Sequence, residues 1–160
     1  MAMKNRTFYN EILTEHNMNP YHKHPLVNPM KWMRGVNPSC GDDIVLQLNV
    51  EDGVITDGAF VGNGCAISQA SADMMLDLVI GRTREEAIEL KDLFLKMIRE
   101  EITEEELERL EEASSLKDIS HMPSRVKCAV LGWHTLEEIL KEDSNGGETT
   151  TESDGDNTAY

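Results

Sequence analysis

The sequence has few of the features that mark secreted, membrane-spanning or nucleic-acid-binding proteins. Its 160 residues include three cysteines, an odd number that cannot close a disulfide framework and is typical of a reducing cytosol. No apolar run approaches the roughly 18 residues of a transmembrane helix, and no segment resembles a signal peptide. Lysine and arginine number 15 against 30 acidic residues, whereas phosphate contacts need clustered basic side chains. We therefore expect a cytoplasmic protein that binds neither membranes nor nucleic acids.

The net charge of −15 is concentrated in two stretches. Residues 100–112 contain eight Glu and one Arg, and residues 142–160 contain six acidic residues and no basic one. The rest of the chain therefore carries a net charge of only −2. Because the second stretch also lacks apolar residues to pack, we predict one domain over residues 1–141 and an acidic, disordered tail over residues 142–160. Removal of that tail is expected to leave the activity intact.

Hydrophobic periodicity predicts an α+β fold. Five segments have apolar residues at helical spacing or begin with a capping box: residues 7–16, 66–80, 83–99, 103–115 and 123–141. Three segments have strand character: residues 32–36, 44–50 and 54–61. The last two are joined by Glu51-Asp52-Gly53, a turn signal that predicts a hairpin. We expect a small antiparallel β-sheet of about three strands with helices packed on one face.

Each cysteine lies at a predicted element boundary. Cys40 ends a proline-containing loop just before a strand, and Asp42 follows two residues later. Cys65 follows the glycine-rich turn Gly62-Asn63-Gly64 and begins a helix, where unpaired N–H groups and the helix dipole favour a thiolate.

Cys128 lies in the first turns of the last helix, where the positive charges of Arg125 and Lys127 also favour a thiolate. The separations between successive cysteines, 25 and 63 residues, exclude a zinc finger or a CxxC module. From spacing alone, a shared metal site and three buried, inert thiols both remain open.

The residues around the cysteines form three motifs: NPSCGDDI, GNGCAISQASADMM and MPSRVKCAVLGW. In this order they resemble the cysteine motifs of the U-type iron–sulfur assembly proteins, the IscU/NifU N-terminal-like family. Over residues 7–140 the chain resembles the SufU branch, which is found beside SufS-type cysteine desulfurases. Lys127 stands where IscU-type scaffolds have a histidine, and the segment before the third cysteine is long, as it is in SufU-like proteins.

The resemblance implies a SufU/IscU-like fold in which Cys40, Asp42, Cys65 and Cys128 bind one Zn²⁺. Three thiolates and a carboxylate form a tetrahedral set that favours zinc over magnesium or calcium. By contrast, Asp43 is predicted to face solvent, because successive residues of a strand point to opposite faces.

The function that the resemblance implies is a zinc-dependent sulfur acceptor, or sulfurtransferase, for a SufS-type cysteine desulfurase. Cys40 would accept the sulfur, and downstream iron–sulfur assembly proteins would be further partners. Two alternatives stay open. One is a scaffold that assembles and transfers a [2Fe–2S] cluster, with iron or the cluster bound in place of zinc. The other is a non-catalytic module with a structural zinc.

Overall fold

The computed structural model of the protein describes residues 11–141 and 147–151. Residues 7–10 of the first predicted helix, and residues 142–146 and 152–160 of the predicted tail, lie outside the described residues. The strands are β1 Lys31–Asn37, β2 Asp42–Glu51, β3 Val54–Asn63 and β4 Glu148–Thr150. The helices are α1 Glu11–Met18, α2 Ala66–Val79, α3 Arg84–Ile98, α4 Glu104–Arg109 and α5 Pro123–Lys141, and a 3-10 helix covers Glu111–His121.

The β2–β3 hairpin forms where the sequence predicts it. Asp52 and Gly53 have φ angles of 54° and 79°, the left-handed backbone that a tight two-residue hairpin turn requires. Along β2, fully buried side chains alternate with half-buried ones, so only one face of the strand contacts the core. β1 pairs antiparallel with β2, and the register places Asn37 opposite Asp42.

The sheet has four strands in the order β3-β2-β1-β4, and β4 runs parallel to β1. The α+β fold is therefore as predicted, whereas the expectation of about three antiparallel strands is wrong in both number and direction. β4 consists of Glu-Thr-Thr, which has no apolar alternation to reveal a strand. It forms because the edge of β1 offers partners: Arg34 N donates to Gly147 O at 2.9 Å, and Thr151 N donates to Val36 O at 3.0 Å. Part of the predicted disordered tail is thus a strand.

The helices cover one face of the sheet. α5 packs on β1 and β2, α2 packs on β3, and the two helices contact each other. Phe94 of α3 stacks on Trp133 of α5 with ring centroids 4.9 Å apart, so α3 forms an outer layer. This arrangement brings the start of α5 beside the loop between β1 and β2.

The acidic segment differs from the single helix predicted over residues 103–115. Its capping box of Thr103 and Glu106 is present, but α4 ends at Arg109 and a 3-10 helix follows. Glu111 has a φ angle of 48°, which no α-helix accommodates. In the described part of the chain, no helix is both long and apolar enough to cross a membrane.

Candidate metal and thiol site

Three chain segments meet at one end of the sheet and bring three predicted site residues together. Cys40 lies in the β1–β2 turn, Asp42 begins β2, and Cys128 lies in the second turn of α5. Each offers a ligand atom within 4.8 Å of the others, although they are up to 88 residues apart in sequence. The Sγ atoms of Cys40 and Cys128 are 3.3 Å apart. These three side chains can therefore reach a single metal ion.

The backbone of the β1–β2 turn fixes where Cys40 lies. The N–H groups of Cys40 and Gly41 both donate to the carbonyl oxygen of Asn37, at 3.2 and 2.9 Å. Gly41 has a φ angle of 77°, so the turn uses the left-handed conformation that glycine adopts without strain. The turn thereby holds the Cys40 thiol at the end of β1, on the side of α5.

Asp42 is a fully buried carboxylate held by three hydrogen bonds. Its Oδ1 accepts from Cys65 N at 2.8 Å and from Ser68 Oγ at 3.2 Å. Its Oδ2 accepts from Asn37 Nδ2 at 3.0 Å. Gly64 lies against this cluster, and a Cβ atom there would come within 2.3 Å of Ser68 Oγ. The hydrogen bonds fix the orientation of the carboxylate, as a metal ligand requires.

Cys65 is the N-cap residue of α2, as its sequence position predicts. Its Sγ accepts from Ser68 N at 3.4 Å, which satisfies one of the unpaired donors of the first helical turn. A hydrogen bond with Cys128 lowers the pKa of the Cys65 thiol to about 6, with a further contribution from the Ser68 N–H. The same contact with Cys65, together with burial, raises the pKa of Cys128. Of these two thiols, Cys65 is therefore the one that loses its proton more readily.

The three thiols differ in their exposure to solvent. Cys128 is fully buried, Cys65 is half-buried, and Cys40 is exposed. Among the described residues, the hydrogen-bond partners of the Cys40 thiol are the carbonyl oxygen of Ser124, at 3.8 Å, and the sulfur of Cys128. A reagent or partner protein that approaches the site from solvent would therefore meet Cys40 first.

The donor set fits a thiophilic divalent ion. Cys40, Asp42 and Cys128 lie within ligand distance of one another, and Cys65 contacts Cys128. Cys65 stands outside the group of three that meets the 4.8 Å limit, so a four-ligand site needs Cys65 to turn towards it. Three sulfurs and one carboxylate oxygen match zinc or iron–sulfur chemistry and do not match magnesium or calcium. Half-buried Arg125 and Lys127, on the first turns of α5, add positive charge near the thiols.

Asp43 lies on the opposite face of β2 from Asp42. It is half-exposed and forms a two-point ion pair with Arg34, with distances of 2.9 and 2.6 Å. The hydrogen bonds from Arg34 lower the pKa of Asp43 below its usual value. Asp43 thus stabilises the pairing of β1 with β2 and does not reach the thiols.

Two residues that hold the site were not singled out from the sequence. Asn37 and Ser68 both donate to Asp42, and both are fully buried. Each lies inside a cysteine motif, in NPSCGDD and in GCAIS respectively, so motif membership was the available signal. Their roles became visible only when Asp42 was seen to be buried, because a buried carboxylate must accept hydrogen bonds from neighbouring donors.

A second titratable cluster lies apart from the thiols, where α1 packs on α2. His16 is buried between Asp73, at 2.7 Å from its Nδ1, and Glu112, at 2.6 Å from its Nε2. The hydrogen bond with Asp73 raises the pKa of His16 to about 9, although burial acts against this shift. The protonated imidazole therefore ties α1 to α2 and to the 3-10 helix.

Comparison with known proteins gives consistent matches over most of the chain. Residues 8–143 match the family model described as NifU-like N terminal domain. An iron–sulfur cluster assembly scaffold protein IscU from Streptococcus pyogenes serotype M1 is 37% identical over 91% of this chain and 90% of its own length. The zinc-dependent sulfurtransferase SufU of Bacillus subtilis is 32% identical over 88% of this chain and 94% of its own length.

Among solved structures, a SUF-system scaffold protein from Fervidobacterium islandicum superposes with a TM-score of 0.78. It is 33% identical to this chain and covers 84% of it, while this chain covers 98% of that one.

Proposed function

Because this chain belongs to the NifU-like N-terminal domain family, which includes the IscU and SufU iron–sulfur cluster assembly proteins, we propose that it is a zinc-dependent sulfur acceptor for a SufS-type cysteine desulfurase. The observation that carries the proposal is the exposure of Cys40 beside a buried Asp42 and a buried Cys128. A structural site keeps all four protein ligands in place, whereas the exposed Cys40 thiol of this one is accessible for exchange.

The residues divide into one that reacts and three that hold the metal. Asp42, Cys65 and Cys128 are fixed by elements of the core and would remain as ligands throughout. Cys40 lies in a turn and can leave the others without disturbing a helix or a strand. Zinc, when bound, stabilises thiolates and brings no redox chemistry that could consume a persulfide.

The chemical step is a thiol exchange. The Cys40 thiolate attacks the outer sulfur of a persulfide on the desulfurase, and the sulfur–sulfur bond of that persulfide breaks. The desulfurase cysteine leaves as a thiolate, and Cys40 becomes the persulfide, so charge and oxidation state balance without another reagent. The exposure of Cys40 allows this in-line approach, while the burial of Cys128 protects it from the same attack.

The test is a reconstituted assay with a SufS-type cysteine desulfurase, L-cysteine and a reductant. The wild-type chain should increase alanine formation in the presence of the reductant, which removes the transferred sulfur as sulfide and allows turnover. In a parallel reaction without reductant, mass spectrometry should find one added sulfur atom on the peptide that contains Cys40. Cys40→Ser should abolish both effects, because the hydroxyl does not form the thiolate that attacks. Asp43→Asn serves as the matched control, since Asp43 is acidic and close in sequence but does not reach the thiols. Wild-type stimulation by Cys40→Ser would contradict the assignment.

A second candidate function is the assembly and transfer of a [2Fe–2S] cluster, the role that the name of the Streptococcus relative states. Three converging thiols support it. The presence of Lys127 in place of the histidine of IscU-type scaffolds favours sulfur transfer, since one candidate cluster ligand is missing. Metal analysis of the protein as purified distinguishes sulfur transfer from cluster assembly. About one zinc per chain without visible absorption supports sulfur transfer, and iron with charge-transfer bands supports scaffolding.

The third possibility, a non-catalytic module with a structural zinc, makes a different prediction for the same protein. A structural zinc would resist chelators and leave Cys40 unreactive towards an alkylating reagent in the zinc-loaded protein. The proposed acceptor should instead show selective alkylation of Cys40, because that thiol is exposed.

A further inference from the structure

We infer that Asn37 is a positioning residue for the metal and thiol site and that Thr151, which directly follows the C-terminal strand β4, holds Asn37 in place. The inference takes its metal site from the proposed function, but concerns residues that neither the motifs nor the relatives assign. It connects the last described residue of the chain to the site through one buried side chain.

Asn37 lies between two site residues and the C-terminal strand. Its Nδ2 donates to Asp42 Oδ2 at 3.0 Å and approaches Cys128 Sγ at 3.6 Å. Its Oδ1 accepts a hydrogen bond from Thr151 Oγ1 at 3.1 Å. Asn37, Asp42, Cys128 and Thr151 are all fully buried, so no solvent competes for these contacts.

The donors and acceptors of the three side chains determine which way the amide group of Asn37 points. As a metal ligand, the Asp42 carboxylate would only accept hydrogen bonds, and the NH₂ group of Asn37 is the side of that amide that faces it. The carbonyl oxygen of Asn37 then points to Thr151, where it requires a donor. The threonine hydroxyl supplies that donor, and its removal leaves a buried amide oxygen unsatisfied.

β4 places the Thr151 hydroxyl through its own hydrogen bonds to the sheet and to α5. Thr151 N donates to Val36 O at 3.0 Å, one residue before Asn37. Two residues earlier, Thr149 Oγ1 contacts His134 Nε2 at 2.9 Å. Thr149 and Thr151 thus make similar side-chain contacts from the same short segment, but only the Thr151 contact leads to the site.

Loss of the Thr151 hydroxyl should therefore loosen two proposed ligands at once. Replacement of a residue that directly supports a metal ligand lowers metal affinity by about 10–100-fold. Thr151 acts one step further away, through Asn37, so we expect a smaller loss of roughly 3–10-fold for Thr151→Val. The expectation that removal of residues 143–160 leaves the activity intact stays a prediction, and the inference adds that this removal, which takes Thr151 away, weakens metal binding.

The main test measures Co²⁺ affinity of the metal-stripped full chain, using thiolate-to-cobalt charge-transfer absorption and competition with a chelator. Thr151→Val should bind Co²⁺ roughly 3–10-fold more weakly than wild type, with a shifted d–d spectrum. Thr151→Ser, which retains the hydroxyl, should restore the affinity. Thr149→Val is the matched control, because it removes a hydroxyl two residues away in the same short segment without touching Asn37. Unchanged affinity in Thr151→Val, or an equal loss in Thr149→Val, would overturn the inference.

A second measurement needs no metal. In the stripped protein, iodoacetamide should alkylate Cys128 several-fold faster in Thr151→Val than in wild type or Thr149→Val, with sites quantified by mass spectrometry. Equal alkylation rates of Cys128 in all three proteins would contradict the role of Asn37.

If wild type fails to bind Co²⁺ through its cysteines, the proposed zinc-dependent function fails, and the alkylation rates alone then test the role of Asn37. If Co²⁺ affinity follows the prediction but sulfur transfer is absent, the inference stands without the proposed function.

Discussion

The contact between β1 and α5 is close enough to predict the effect of one added methyl group. Gly35 lies in β1 beneath α5, and a Cβ atom there would be 2.2 Å from Thr135 Oγ1 and 3.3 Å from Leu131 Cδ1. The Thr135 hydroxyl donates to Leu131 O at 2.7 Å, so it cannot rotate away without losing a buried hydrogen bond. Gly35→Ala must therefore push α5, which carries Cys128, away from the sheet.

The expected loss of folding stability follows from this steric overlap. Overpacking a well-packed interior destabilises a protein by roughly 1–3 kcal/mol. For a chain of this size each kcal/mol lowers Tm by about 2–4 °C, so Gly35→Ala should lower Tm by roughly 2–12 °C. Thermal unfolding of the metal-free protein, followed by circular dichroism, measures the change without a contribution from bound metal.

A compensating substitution tests the steric cause. Thr135→Ala removes the clashing oxygen, after which the nearest neighbours of the new Cβ lie 3.3 Å away, an overlap that a shift of a few tenths of an ångström relieves. The double variant should therefore be more stable than the sum of the two single effects predicts, a coupling that a double-mutant cycle measures. A Tm for Gly35→Ala equal to that of wild type, or strictly additive effects, would refute the steric argument.

Two further predictions concern the titratable and thiol groups. The pKa of His16 is raised from 6.5 to about 9, so its ion pairs should stabilise the fold fully below pH 6.5 and lose that effect as pH rises through 9. The Tm advantage of wild type over His16→Gln should shrink over this range, and a pH-independent difference would contradict it. The sulfurs of Cys40 and Cys128 are 3.3 Å apart, so diamide should take two protons and two electrons from them and form a Cys40–Cys128 disulfide in the metal-free protein. Peptide mapping that finds mainly Cys65 in the disulfide would show that a different pair is poised to react.

The features predicted correctly from sequence are those that neighbouring residues determine. The capping boxes at Thr83 and Thr103, the Asp52-Gly53 turn and the alternation along β2 each depend on residues within a few positions of one another. Such interactions form in the same way wherever the segment lies in the fold. The cysteine motifs indicated the family, because their residues occur in a characteristic order along the chain.

The strand β4 and the hydrogen bonds that hold the site together could not be predicted from the sequence, because they depend on the tertiary structure. The residues of β4 lack the apolar alternation that would predict a strand, and they form one because the edge of β1 beside α5 offers hydrogen-bond partners. Likewise, nothing in the sequence relates Thr151 to Asn37, which are 114 residues apart. A buried hydrogen-bond network forms only when packing excludes water from its donors and acceptors. The sequence alone predicted which side chains carry the chemistry, and the tertiary structure decided which of them are buried, which one is exposed, and what holds them together.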